Sequence, residues 1–460
     1  MTLQRGVLPS LLLSAGLAGP LVAASVGLDS GHGERHGRTS YDLFHTRLEA
    51  STPAEGDVLT SPLPVARFEF SGPVEPSLTR LLLRYPSGDS LFLGTIVVPD
   101  SAHVIRAEFP DLAPGLYALA WTTVSVDGHA ADGVIGFEVA ADAESRAPAA
   151  ETADDSTGVA ETAAGDGLGI AEPASLEVAG PPLRRTLFRG LGLACLLAAA
   201  GVLWFAGGSG LVREPAVLRA ASAAALLATI LLGLDYLDWL GDVRPAGMGV
   251  IEGLVAAVRT RTGMIEGSRV LLAGLTFFLA GGARAGRMAG LVAMVAVIFG
   301  AASGHPAVIE PSLALPANAL HLGAAAIWIG GVLLLTVLPD HPEKADGGWR
   351  YEQVASRVSS RAFLAVGVIL GTALLQDLLF LGGIGNLLTT RYGQLLIAKS
   401  VGLVLLIGFG AWHRWKTLPK LVQTGDQGPL RLAVRIEILF LTGVILLAAW
   451  LALTPPPVAG

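Results

Sequence analysis

Few groups in this chain can hold a metal ion, and most of them fall in apolar surroundings. There are nine histidines and a single cysteine, Cys195, which lies in an apolar run. Neither a disulfide framework nor a thiolate cluster can form within one chain, so a metal site must draw on His, Met, Asp, Glu or backbone groups. His305, in Ser303-Gly-His-Pro306, and His321 stand at the ends of two successive apolar runs. Two neutral imidazoles at one depth suit a transition-metal ion or, as axial ligands, a haem. Met248 and Met264, just upstream, are soft thioether candidates. Asp377, Lys399, Glu437, Arg361 and His413 add charge to segments that are otherwise apolar. Charge inside a membrane is costly, so these residues are expected in pairs, Lys399 with Asp377 and Glu437 with Arg361 or His413, holding helices in register. Trp328 with Gly330 and Gly331 reads as a place of close helix packing.

The elements that must position these groups follow from composition. Of 460 residues, 52% are hydrophobic and 15% charged, and the mean hydropathy is +0.59. Such a chain cannot keep its apolar surface in a water-soluble core, so much of it must face lipid. Apolar runs of spanning length occur at 187–206, 217–234, 269–283, 288–302, 320–338, 363–381, 395–411 and 432–453, which predicts an all-α bundle of eight transmembrane helices. The segment 248–258 is too short and glycine-rich to span and is expected to lie along the outer surface. At the N-terminus, Arg5 and an apolar stretch ending in Val-Ala-Ala-Ser have the layout of a signal peptide (1–25). With the next segment exported, the loops assigned to the cytoplasm are richer in Arg and Lys than the outer loops, as the positive-inside rule requires. The net charge of −7 is local. Between 142 and 182, Asp142, Glu144, Glu151, Asp154, Asp155, Glu161, Asp166, Glu172 and Glu177 face one base, Arg146. This stretch (141–182) has no aromatic and reads as a self-repelling disordered tether. No nucleotide-binding loop is present, no nucleic-acid partner is expected, and the chain is not read as an enzyme.

Between 45 and 140 the hydrophobic period is close to two, with strands expected at 65–71, 79–85, 90–98, 103–109, 115–124 and 134–140. Short strands at this spacing predict an all-β sandwich of immunoglobulin-like size. Asp111-Leu-Ala-Pro-Gly-Leu-Tyr117 looks like a turn that pins a tyrosine against the core.

Four motifs in order, His45-Thr-Arg-Leu-Glu-Ala-Ser-Thr-Pro-Ala-Glu-Gly56, Phe68-Glu-Phe-Ser-Gly-Pro-Val-Glu75, Leu112-Ala-Pro-Gly-Leu-Tyr117 and Trp121-Thr-Thr-Val-Ser-Val-Asp-Gly-His129, resemble CopC, a periplasmic copper-binding β-sandwich. The resemblance implies a Cu(II) site made by His45, Asp127 and His129. Imidazole and carboxylate suit that ion, and an Asp and a His two apart on an extended segment project to one side. In CopC the first ligand is the N-terminal residue. Here the expected signal cleavage leaves His45 preceded by the segment 26–44, so its free amine is missing, and His32, His36 or His103 become candidate replacements.

Residues 185–455 resemble CopD, the membrane partner of CopC, through Ser303-Gly-His-Pro306, His321, Trp328-Ile-Gly-Gly331, Tyr392-Gly-Gln-Leu-Leu-Ile-Ala-Lys399, His413-Arg-Trp-Lys-Thr-Leu-Pro419 and Arg435-Ile-Glu437. His413 stands where that family's motif carries Asn. The resemblance implies a fused CopC and CopD protein of an inner membrane, with its sandwich in the periplasm. It would bind copper as Cu(II) outside, receive it at His305 and His321, with Cu(I) and the two methionines as one form of that step, and carry it inward. Periplasmic copper chaperones are the candidate protein partners. Two rival functions remain at this point, a haem-binding electron-transfer protein and a copper sensor or assembly factor that moves no metal.

Overall fold

The computed structural model describes residues 46–97, 102–126, 128–140, 182–209, 211, 214–244, 247–281, 286–307, 309–339, 350–454 and 456–457. The expected signal peptide, the segment 26–44, His45, Asp127 and the tether as far as 181 lie outside them.

Nine strands form the first part: β1 (Leu48–Thr52), β2 (Val58–Leu59), β3 (Val65–Phe70), β4 (Arg80–Arg84), β5 (Ser90–Leu93), β6 (Thr95–Val97), β7 (Val104–Glu108), β8 (Gly115–Val124) and β9 (Ala130–Val139). They build a four-stranded sheet, β1-β3-β7-β6, and a five-stranded sheet, β2-β9-β8-β4-β5. Alternation sends Ala66, Phe68 and Phe70 of β3, Leu81 and Leu83 of β4, and Tyr117, Leu119 and Trp121 of β8 into the core between the sheets. The Tyr117 hydroxyl donates to the carbonyl of Ala113 at 2.7 Å, the pinned tyrosine expected at that turn. The run 90–98 is two strands rather than one, divided at Gly94, and β5 and β6 belong to different sheets. The chain crosses from one layer to the other there, at a residue with no side chain to obstruct the bend. β1 and β2 escaped the sequence reading because their burial does not alternate cleanly.

Eleven helices follow among the described residues: α1 (Leu183–Ser209), α2 (Pro215–Val243), α3 (Val250–Ala257), α4 (Arg261–Ala280), α5 (Gly286–Gly300), α6 (Pro311–Val337), α7 (Tyr351–Phe380), α8 (Asn386–Thr389), α9 (Arg391–Trp412), α10 (Leu418–Thr424) and α11 (Gly428–Ala452). α9 continues through a π-helical turn, His413–Thr417, into α10. The eight expected runs fall in order on α1, α2, α4, α5, α6, α7, α9 and α11. Seven of these are long and apolar enough to cross a membrane, whereas α5 has 15 residues, short of the ~20 that span the hydrocarbon. Outward-facing Leu271, Phe278, Leu378 and Leu439 are each more than 70% exposed, an apolar surface that only lipid can cover. At the α1–α6 crossing a Cβ on Gly201 would overlap the Ala326 carbonyl, and one on Gly330 would overlap Gly201. The glycines therefore permit a close α1–α6 contact in the bundle core, the packing role read for Gly330.

The sandwich sits on one end of the bundle. Leu78 and Val124, both essentially fully buried, pack with Tyr236, Trp239, Leu240 and Val243 of α2 and Ala257 of α3. Burying one leucine completely contributes about 1.5–3 kcal/mol. Polar contacts fix the orientation: Arg80 pairs with Glu252 of α3 at 3.1 Å, and the backbone N–H of Arg261, at the start of α4, donates to Glu75 Oε1 at 2.9 Å. α3 is the segment expected to lie along the outer surface, and it is part of the platform for the sandwich.

Candidate metal centre

The turn between β8 and β9 carries the Asp-Gly-His motif, and the bundle grips it on both sides of Asp127. The Trp239 indole N–H of α2 donates to the carbonyl of Gly128 at 2.8 Å. The Thr262 hydroxyl of α4 donates to the carbonyl of Val126 at 3.0 Å. Gly128 has φ of +92°, and a Cβ there would lie 2.8 Å from Thr262 Cγ2. Glycine is required twice, by the left-handed backbone and by the closeness of α4.

Held this way, the His129 ring stacks on that of His305, with centroids 5.7 Å apart and planes 10° from parallel. The two imidazoles, one from the sandwich and one from the 3-10 turn between α5 and α6, thus meet at the seam. Strand pairing brings the flanks of the other expected ligands to the same end of the sandwich. The N–H of Ser71 donates to the carbonyl of Arg47 at 2.8 Å, that of Phe70 to the carbonyl of His103 at 2.9 Å, and Val74 pairs with Ser125. The described chain therefore begins, at Thr46, on the edge of the sandwich that holds His129. His103 is exposed on that same edge. His45 and Asp127 themselves are outside the described residues, and among the described residues no three His, Cys, Asp or Glu side chains are gathered as a metal cluster.

Beneath His305 is a cavity of about 190 Å³, lined by His305 and His321 together with Arg189, Glu266, Arg269, Asn318, Gln376, Asp377, Tyr392 and Lys399. The depth shared by the two histidines, inferred from their places in the apolar runs, is thus a shared cavity wall. Thr372 on α7 donates its hydroxyl hydrogen to the carbonyl of Val368 at 2.7 Å and contacts His321 Nδ1 at 3.0 Å. Its remaining role toward His321 is acceptor, which puts the imidazole proton on Nδ1 and leaves Nε2 as a lone-pair donor. This is the tautomer that a metal-ligating histidine needs. Gln376 Nε2 is buried in the same wall with no partner among the described residues, so the cavity has polar valence to spare.

Fixed charge in the cavity is largely compensated. Arg189 Nε meets Asp235 at 2.9 Å and Arg269 meets Glu266 at 2.8 Å. The expected Lys399–Asp377 pair is not made directly. Both residues line the cavity, but no ion pair joins them among the described residues. Lys399 on α9 and Asp377 on α7 share the cavity lining without a contact of ion-pair length. Glu437 meets His413 Nδ1 at 2.9 Å, one of its two expected partners, while Arg361 lies over the Phe205 ring instead. Trp328, read only as a packing residue, also donates its indole N–H to Glu437 at 3.2 Å. Neither Met248, which is buried, nor Met264, which is half exposed, lines the cavity, so thioether ligation at His305 and His321 has no support in the geometry. Trp239, Thr262 and Thr372 were not found from the sequence, because an indole or hydroxyl on an apolar helix gives no sign of the distant loop or ring it bonds.

Comparison with known proteins fits this two-part architecture. Residues 48–140 match the CopC domain model and residues 352–451 match the model described as Copper resistance protein D. Over 386 residues the chain is 27% identical to the Copper transport protein CutJ of Bacillus subtilis (strain 168), covering 80% of this chain and 67% of that protein. Over 112 residues it is 30% identical to the Inner membrane protein YebZ of Escherichia coli (strain K12), covering 24% of this chain and 37% of that one. A crystal structure of CopC from Methylosinus trichosporium OB3b aligns at 25% identity and a TM-score of 0.20, covering 21% of this chain and 94% of that chain. With a CopC domain match ahead of a CopD match in one chain, and a relative whose similarity runs across most of it, the protein joins a CopC-like sandwich to a CopD-like helical region with several helices of membrane-spanning length.

Proposed function

We propose that the chain binds Cu(II) at the His129 end of its sandwich and passes copper through His305 and His321 into the bundle for movement inward across the membrane. The observation that carries this reading is the stack of His129 on His305 directly above the cavity that holds His321. Copper–imidazole exchange between ligands this close needs no release of the ion to solvent, because metal–nitrogen bonds are about 2 Å long. The donor set supports copper as cargo, since imidazole nitrogens with a nearby carboxylate suit Cu(II). The printed names of CutJ and of the Copper resistance protein D model point to the same metal. In this reading the sandwich faces the periplasm, where copper chaperones would deliver the ion, and the function is transport rather than catalysis.

The test measures cell copper across a range of external copper in cells lacking the gene and in cells carrying the wild type, His129→Ala, His305→Ala or His321→Ala. Uptake above background in the wild type alone is expected. Equal copper with and without the gene overturns the import claim, and stoichiometric copper binding by the purified chain without flux assigns it to a sensor or assembly role. The haem alternative uses the same two histidines and is separated by colour, because a bis-histidine haem protein purifies red.

A further inference from the structure

A second cavity, of about 180 Å³, lies between α6, α7, α9 and α11. It is distinct from the first: on α7 its wall ends at Val366, and the other cavity begins at Gln376, about 15 Å further along at the helical rise of 1.5 Å per residue. Its walls are aliphatic, Val332, Val358, Val366, Leu406 and Val434 among them. Phe363 and Trp415 also line it while being 63% and 68% exposed, so the cavity reaches the lipid-facing surface between α7 and the π-helical turn.

One end is polar. The Glu437 carboxylate accepts from Trp328 and from His413 Nδ1. A carboxylate in this role only accepts, so the proton sits on Nδ1 and the imidazole is oriented by its acidic partner, as in sites where the other ring nitrogen meets a ligand. That other nitrogen, His413 Nε2, is buried and has no hydrogen-bond partner among the described residues. A buried polar atom left unpaired is costly, and an occupant that bonds to it removes the cost.

The surroundings decide what kind of occupant. A metal ion would find one free nitrogen, a Glu437 carboxylate already bonded by Trp328 and His413, and the Arg414 guanidinium in the same wall, and the aliphatic sides offer it no further ligand. Water would face apolar surface on most sides. A cavity below the roughly 300–1,000 Å³ of drug-sized sites takes one substituted ring. We infer that this cavity binds a neutral, lipid-soluble ring compound carrying a hydroxyl, of the hydroquinone and phenol class, with that O–H donating to His413 Nε2 and the ring among Phe363, Val358 and Leu406. The inference is independent of the copper reading, since it uses none of the residues at the seam.

Equilibrium dialysis of the purified full chain against thymol, a substituted phenol, tests it. A phenol, unlike a quinone, has no electrophilic ring carbon for the free Cys195 thiol to attack. Saturable uptake of one molecule per chain is expected, weakened about tenfold in His413→Phe, which keeps a ring but removes the nitrogen. Ala362→Leu, which fills the cavity from α7 without touching the His413–Glu437 pair, should abolish uptake while leaving the helical circular dichroism melt in place. Absence of saturable uptake by the wild type, or uptake indifferent to Ala362→Leu, overturns the assignment. So does displacement of thymol by lauric acid at equal affinity, which would make the cavity an acyl-chain slot.

Discussion

Thr372 has a sharper role toward His321 than filling space beside it. By spending its hydrogen on the Val368 carbonyl it can only accept from the imidazole, and so it fixes which nitrogen faces the cavity. Thr372→Val keeps the shape and removes the acceptor. Copper affinity of the purified chain should fall about 10–100-fold, the usual effect of deleting a partner of a metal-ligating histidine. Thr372→Ser should restore it, which a purely steric role would not require, and unchanged affinity in the valine variant would sink the assignment. His305 and His321 were legible in the sequence because ionisable groups in apolar runs are costly and therefore conspicuous. Thr372 was not, since a hydroxyl on a helix ordinarily bonds its own i−4 carbonyl and gives no hint of a second partner 51 positions away.

At the scale of elements, period-two patterning identified β3, β4, β7, β8 and β9, and apolar run length identified eight helices, seven of them long enough to cross a membrane, because each follows from one face or one length of burial. The sheet change at Gly94 and the clamping of the β8–β9 turn by α2 and α4 depend on contacts between distant parts of the chain and leave no local pattern. The clamp has a direct consequence at Gly128. Alanine there meets both an unfavourable φ and the Thr262 methyl group, so Gly128→Ala should cost about 1–3 kcal/mol and loosen the turn that carries His129. Hydrogen exchange at 125–130 should rise, and copper uptake should drop although no ligand has been changed. Adding Thr262→Ser, which removes the methyl group but keeps the hydroxyl on the Val126 carbonyl, should recover part of the loss, since it relieves the overlap but not the backbone conformation. Exchange in Gly128→Ala equal to that of the wild type would show that α4 does not hold the turn.

For the whole molecule, the question is what keeps the two halves in register, and the seam has a titrating group in it. Glu75 accepts the first N–H of α4, and burial at the seam pushes its carboxyl above the usual 4.5, against the opposing pull of the Arg261 hydrogen bond and charge. A carboxyl whose pKa is raised by docking favours the docked state most when it is protonated. Its contribution is fully present below its ordinary pKa and is lost as pH rises through the raised value. The seam should therefore loosen on going from mildly acidic pH toward neutrality, to an extent reduced by the partial exposure of the group. Glu75→Gln retains an acceptor for Arg261 and has no charge to desolvate. It should make docking independent of pH in that range and at least as tight as the wild type at neutrality. Thermal melts of both proteins over mildly acidic to neutral pH, with proteolytic release of the sandwich as a second readout, compare the two curves. A wild-type curve that rises with pH, or a glutamine variant that keeps the wild-type slope, would place the control of docking in another group. Because His129 reaches His305 only across this seam, the same loosening should appear as slower copper uptake at neutral pH in the wild type than in Glu75→Gln.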